Sequence, residues 1–78
     1  MVNAKFAAVN IKFQEQSMYV ELMDGSTFDV PLKYLPILNQ STQQERNNWE
    51  LCGNGFAIRW PELNNYILTA SELIREFK

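Results

Sequence analysis

Apolar and polar residues alternate along the first third of the chain. From Phe6 to Phe13, Val9, Ile11 and Phe13 alternate with Asn10 and Lys12, the period of a strand with one solvated face. A polar connection, Gln14-Glu15-Gln16-Ser17, leads to Met18, Val20 and Leu22 alternating with Tyr19 and Glu21. These are two strands. Asp24-Gly25 follows, the residue pair that suits a two-residue hairpin turn because both central positions there want positive φ and Gly supplies it freely. Phe28, Val30 and Leu32 make the third strand, and Pro31, which cannot donate to a ladder, puts it at an edge or at its end.

The period then changes. Leu32, Leu35, Ile37 and Leu38 fall near one face of a short helical segment that Pro36 limits. Ser41-Thr42-Gln43-Gln44-Glu45 offers two capping-box registers, Ser41 with Gln44 and Thr42 with Glu45, and opens a polar helix to about Asn48. Trp49-Glu50-Leu51 and Phe56 to Trp60 read as a second hairpin joined through Gly53-Asn54-Gly55 and ended by Pro61. Leu63, Tyr66 and Ile67 show no period and read as an irregular crossing. Thr69 with Glu72 forms a further capping box, and Leu73, Ile74 and Phe77 give the stripe of a helix from about Ala70 to Phe77. The expected fold class is α+β, a single domain over residues 1–78. It comprises an antiparallel meander, a helical insertion, a second hairpin joining the same sheet, and a C-terminal helix.

Composition adds limits. A chain of 78 residues buries only about 60–65% of its unfolded surface on folding, so its stability is marginal and any partner surface would matter for it. Trp49 and Ile58 are read as core, and Asp24, Gly25, Gly53 and Gly55 as turn formers. Trp60 is read first as core, with half exposure beside the terminator Pro61 as the other reading. No apolar run is long enough to span a bilayer and Met1-Val2-Asn3-Ala4-Lys5 lacks an apolar signal core, so a soluble cytoplasmic protein without a membrane partner is expected.

The chemistry available is narrow. There is no His and the lone Cys52 forms no internal disulfide, so zinc sites and the usual nucleophilic dyads are not expected. The seven basic residues are dispersed through a chain of net charge −2, unlike a phosphate-binding surface, and no nucleic-acid partner is expected. Asp24 is accounted for by a turn, while Glu21 and Asp29 alternate out toward solvent with nothing converging on them. The expectation is therefore no catalytic residue, no metal and no cofactor.

The segments Val30-Pro31-Leu32-Lys33-Tyr34-Leu35-Pro36-Ile37-Leu38, Ser41 to Trp49, and Gly53-Asn54-Gly55-Phe56-Ala57-Ile58-Arg59-Trp60-Pro61-Glu62-Leu63, with Ser71-Glu72-Leu73-Ile74 after them, resemble the small bacterial family known as domain of unknown function 2442. The resemblance covers nearly the whole chain. It implies a compact α+β domain with no assigned activity, sometimes followed by a DNA-binding helical region, and often encoded beside another small protein in a toxin–antitoxin-like arrangement. Similar proteins tend to carry His at the position of Arg59, a basic residue at Ile37 and an acidic triplet at Asn64-Asn65-Tyr66.

Together these readings lead to a non-catalytic protein–protein interaction module, the accessory or antitoxin-like half of a two-gene system. Its partner would be the product of a neighbouring gene or a second copy of the chain. Arg59, Trp60 and Pro61 are the candidate interaction residues, because Arg and Trp are enriched at hot spots and the strand from Phe56 to Trp60 carries only Arg59 to discourage edge pairing. The alternatives are a nucleic-acid-associated regulator and an enzyme with an unrecognised carboxylate site.

Overall fold

The computed structural model describes residues 6–78; Met1 to Lys5, with the missing signal core read there, lie outside the described residues. In chain order the elements are β1 (Ala8–Gln14), β2 (Ser17–Leu22), β3 (Thr27–Pro31), α1 (Pro36–Asn39), α2 (Gln43–Asn47), β4 (Glu50–Cys52), β5 (Ala57–Trp60), β6 (Tyr66–Thr69) and α3 (Ala70–Phe77). Short 3₁₀ turns at Leu32–Tyr34, Gly53–Gly55 and Pro61–Leu63 join several of them. The strands form two antiparallel three-stranded sheets, ordered β1-β2-β3 and β4-β5-β6. The fold is α+β as expected, but the second hairpin does not join the first sheet. It gains a third strand from the segment read as an irregular crossing and makes a sheet of its own.

In the first sheet Met18, Val20 and Leu22 of β2 and Val30 of β3 are fully buried, following the alternation of the sequence. Strand β1 departs from it. Its pairing with β2 runs Ala8 with Leu22 and then Asn10 with Glu21, so Val9 is an extra residue with no partner of its own. Such a bulge reverses the facing of everything on one side of it. Ala8 and Ile11 consequently point inward and Val9 points out, the opposite of the facing expected for Val9. Gln14 pairs with Ser17, which leaves Glu15-Gln16 as a two-residue turn.

The β2–β3 connection also differs from expectation. Gly25 has φ of 88° but Asp24 is not in the left-handed region. Gly25 N–H donates to Leu22 C=O (3.0 Å), and Leu22 N–H to Ser26 C=O (2.9 Å). This is a tight turn closed by a left-handed Gly. Asp24 takes a separate role, its Oδ1 accepting from Ser26 N–H (2.9 Å) and Ser26 Oγ (2.6 Å), the local side-chain bond that favours Asp in turns. Pro31 ends β3 at the sheet edge, where no inner-ladder donor is lost.

One core lies between the sheets. Ile58 and Trp60 of β5 pack with Ile11, Met18, Val20, Leu22, Val30, Leu32, Leu35, Leu38 and Leu73, while Trp49, Tyr66, Leu68, Ile74 and Phe77 are partly buried around them. Leu32, Leu35 and Leu38 are buried as expected, but Ile37 is exposed, because in the one-turn α1 Leu38 takes the inward position and its neighbour Ile37, about 100° round the helix, faces out. Thr42 wins the choice of caps: its hydroxyl accepts from Glu45 N–H (3.1 Å) and Glu45 Oε1 accepts from Thr42 N–H (2.8 Å). Ser41 Oγ instead donates to Leu38 C=O (2.7 Å), closing α1. Thr69 caps α3, its hydroxyl accepting from Glu72 N–H (3.3 Å) and donating to Glu72 Oε1 (2.7 Å).

The sheets meet closely at Gly55. It is buried with φ of 91°, and a Cβ there would lie 2.3 Å from Ala8 C=O, so only Gly fits. Next to it Ala70 N–H donates to Phe56 C=O (2.9 Å), tying the start of α3 to the same turn.

Candidate interaction face

The register of the second sheet sorts its side chains. Glu50, Arg59 and Ile67 are cross-strand neighbours, as are Leu51, Ile58 and Leu68, and Cys52, Ala57 and Thr69; Trp60 pairs with Tyr66. Ile58 and Trp60 are fully buried. Alternation therefore places Leu51, Leu68, Trp60 and Tyr66 on the inner face, and Glu50, Cys52, Ala57, Arg59, Ile67 and Thr69 on the outer one.

The three candidate residues thus separate. Arg59 is on the outer face, where its Nη2 donates to Glu50 Oε1 across the strands. An ion pair this exposed contributes at most about 1 kcal/mol. Trp60 points the other way and is 0% exposed, in line with the core reading and against its place among the interaction residues. Its Nε1–H donates to Arg46 C=O (2.9 Å) and its ring lies 5.9 Å from that of Tyr66. A buried indole with its one donor satisfied suits a core position. Pro61 is exposed at the start of its 3₁₀ turn. Strand β5 is the central strand of its sheet, so the open edge expected along Phe56 to Trp60 is occupied on both sides, by β4 and β6.

What sequence reasoning missed is Ile67. It lies on β6 beside Arg59 and is 51% exposed. Asn64 and Asn65 both adopt left-handed conformations, φ 57° and 58°, and turn the chain from Pro61–Leu63 into β6. Asn tolerates that region better than other non-glycine residues. An Asn pair before Tyr-Ile-Leu-Thr, with its aromatic and β-branched residues, was the signal for a turn and a strand. Tyr66 itself is half-buried; burial, and secondarily the negative charge of Glu72, raises its pKa above the ordinary 10.0.

The remaining candidates are structural in their surroundings. Trp49 is half-buried and packs against the core, Gly53 and Gly55 bracket the left-handed Asn54, and Ile58 is fully buried. Arg46 reaches back to Ser41 C=O (3.0 Å) and sits 6.0 Å over the Phe13 ring. On the outer face of the first sheet Lys12, Tyr19 and Asp29 form one cross-strand row and Asn10, Glu21 and Thr27 the next, with an open depression lined by Asn10, Lys12, Gln14, Tyr19, Glu21 and Thr27. Among the described residues no group of three or more His, Cys, Asp or Glu is placed to hold a metal ion, and no helix is long and apolar enough to cross a membrane.

Two meanders around one core, with an accessible face on the second, define a small α+β domain. The chain belongs to the family described as Protein of unknown function (DUF2442), which it matches over residues 8–78. A crystal structure of a protein of unknown function from Rhodospirillum rubrum ATCC 11170 has the same fold, with a TM-score of 0.76 at 21% identity over 88% of this chain and 84% of that one. No curated protein matches.

Proposed function

We propose that this protein is a non-catalytic interaction module of the cytoplasm that holds a protein partner against the outer face of its second sheet, around Arg59 and Ile67. The observation that carries this reading is Ile67, a large β-branched residue half exposed beside an arginine on a three-stranded face. Apolar surface next to Arg is the composition of a contact centre. Cys52 and Ala57 extend the apolar area across the strands, and Glu50 fixes the direction of Arg59. Family resemblance supplies the kind of partner: the product of a neighbouring gene, with this chain as the accessory or antitoxin-like half. That step is fold-level analogy.

The test is co-expression with the neighbouring gene product followed by affinity purification and size-exclusion chromatography. Arg59→Glu combined with Ile67→Asp should reduce complex recovery at least tenfold, while Lys12→Glu on the other sheet leaves it unchanged. Circular dichroism confirms that the variants fold. A folded double variant that still forms the complex at the parent's level would place the contact elsewhere.

A further inference from the structure

Asn54-Gly55 is the one Asn-Gly pair in the chain. Asn54 is exposed, and the residue after it has no side chain to hinder its own amide nitrogen. This is the arrangement in which an asparagine cyclises. The Gly55 nitrogen attacks Asn54 Cγ, a C–N bond forms, and the Cγ–Nδ2 bond breaks. The proton lost from Gly55 N–H leaves with Nδ2 as ammonia. Water then opens the succinimide at one of its two carbonyls. Attack at Cγ gives aspartate; attack at the main-chain carbonyl gives isoaspartate, with one more methylene in the backbone.

The fold opposes this reaction in an identifiable way. Asn54 has φ 59° and ψ 34°. With ψ at that value the Gly55 nitrogen is nearly eclipsed with the Asn54 nitrogen and so lies across the Cα–C bond from Cβ, as far from Cγ as this torsion allows. Ring closure needs that peptide plane to swing almost half a turn. Gly55 blocks the swing because it is buried, left-handed and pressed onto Ala8 C=O, where even a Cβ would not fit. The nitrogen reaches Cγ only when the turn leaves β1.

We infer that Asn54 is a deamidation site kept closed by the contact between Gly55 and Ala8, so that its chemistry records each separation of the two sheets at that junction. Either product adds a negative charge, and isoaspartate lengthens the turn so that it cannot close on Ala8 in its original register. Opening is thereby made irreversible in a fraction of molecules, by the usual coupling of local unfolding to a chemical trap.

The experiment incubates the full chain at mildly alkaline pH, folded in buffer and unfolded in urea, and follows residue 54 by peptide mapping with isoaspartate detection. In urea, conversion at Asn54 should outpace that at Asn64 and Asn65, which are not followed by glycine. In buffer it should be slower by about tenfold or more, the factor set by the cost of local opening. Asn54→Gln should lose the mass change in both arms. Equal rates folded and unfolded would show that the turn gives no protection, and conversion at Asn54 no faster than at Asn64 in urea would show that there is no special site. Either result, or a mass change that survives Asn54→Gln, overturns the inference.

Discussion

At the level of single residues, the contrast among the glycines and between the two tryptophans carries the sharpest consequences. Gly55→Ala forces a Cβ to within 2.3 Å of a backbone oxygen at φ of 91°, and should destabilise by roughly 2–4 kcal/mol, the upper range for a single change. At Gly53, with φ 58° and open space around it, only the left-handed backbone is penalised, about 1–2 kcal/mol. Urea denaturation of the two variants should show this gap; equal losses would mean that Gly55 does not hold the sheets together. Trp60→Ala removes a fully buried indole and leaves Arg46 C=O without its donor, a cost of about 3–5 kcal/mol, whereas the half-buried Trp49 should cost about half as much. The reverse order in thermal melts would invalidate the assignment of Trp60 to the core. Tyr66 gives the pH dependence. Its phenol is held neutral in the fold above its ordinary 10.0, so more protons are bound folded than unfolded and stability is lost as pH rises through the raised value. Tyr66→Phe should make the alkaline decline in stability shallower; an unchanged decline would rule this group out as its source.

At the level of elements, the caps decide where helices begin. Thr42→Ala removes the hydroxyl that accepts from Glu45 N–H, and Thr69→Ala the hydroxyl that accepts from Glu72 N–H and donates to Glu72 Oε1; each should cost about 1 kcal/mol. Ser41→Ala, which loses only a bond to Leu38 C=O, should cost less, and chemical denaturation ranks the three. Elements with an uninterrupted period were legible from sequence: β2, β3, β5 and α3 lie where alternation or the Leu73-Ile74-Phe77 stripe places them. Periodicity failed where one residue breaks it. The bulge at Val9 exchanges the faces of β1 on either side of it, and no local residue preference announces that. The exposed Ile37 shows that a one-turn helix has too few positions for a period to form. Strand β6 was missed because four residues, Tyr66 to Thr69, alternate too briefly, and because Asn64-Asn65 was not weighed as a turn. The same omission hides Ile67 and leaves Trp60 among the interaction candidates. With β6 absent, β5 looked like an edge, although alternation along Phe56 to Trp60 already put Arg59 opposite Trp60.

At the level of the whole molecule, both sheets are built from strands consecutive in the chain, β1-β2-β3 and β4-β5-β6. Every ladder in either sheet therefore closes a short loop, and the long-range step is the meeting of the two halves, where Trp60 reaches Arg46 C=O, Gly55 seats on Ala8, and Ile58 joins Met18 and Val20. Chains whose contacts are mostly local pay little loop-closure entropy before those contacts form, and mixed domains of this kind fold between the microseconds of helical bundles and the seconds of all-β sandwiches. The order of events follows. Each meander alone leaves its apolar face in water until the other covers it, so the step expected to limit folding is their meeting, when the indole of Trp60 leaves water. The protein carries its own optical clock for that event. With Trp49→Phe leaving Trp60 as the one indole, the change in emission as Trp60 is enclosed should mark the instant at which the two halves become one folded chain.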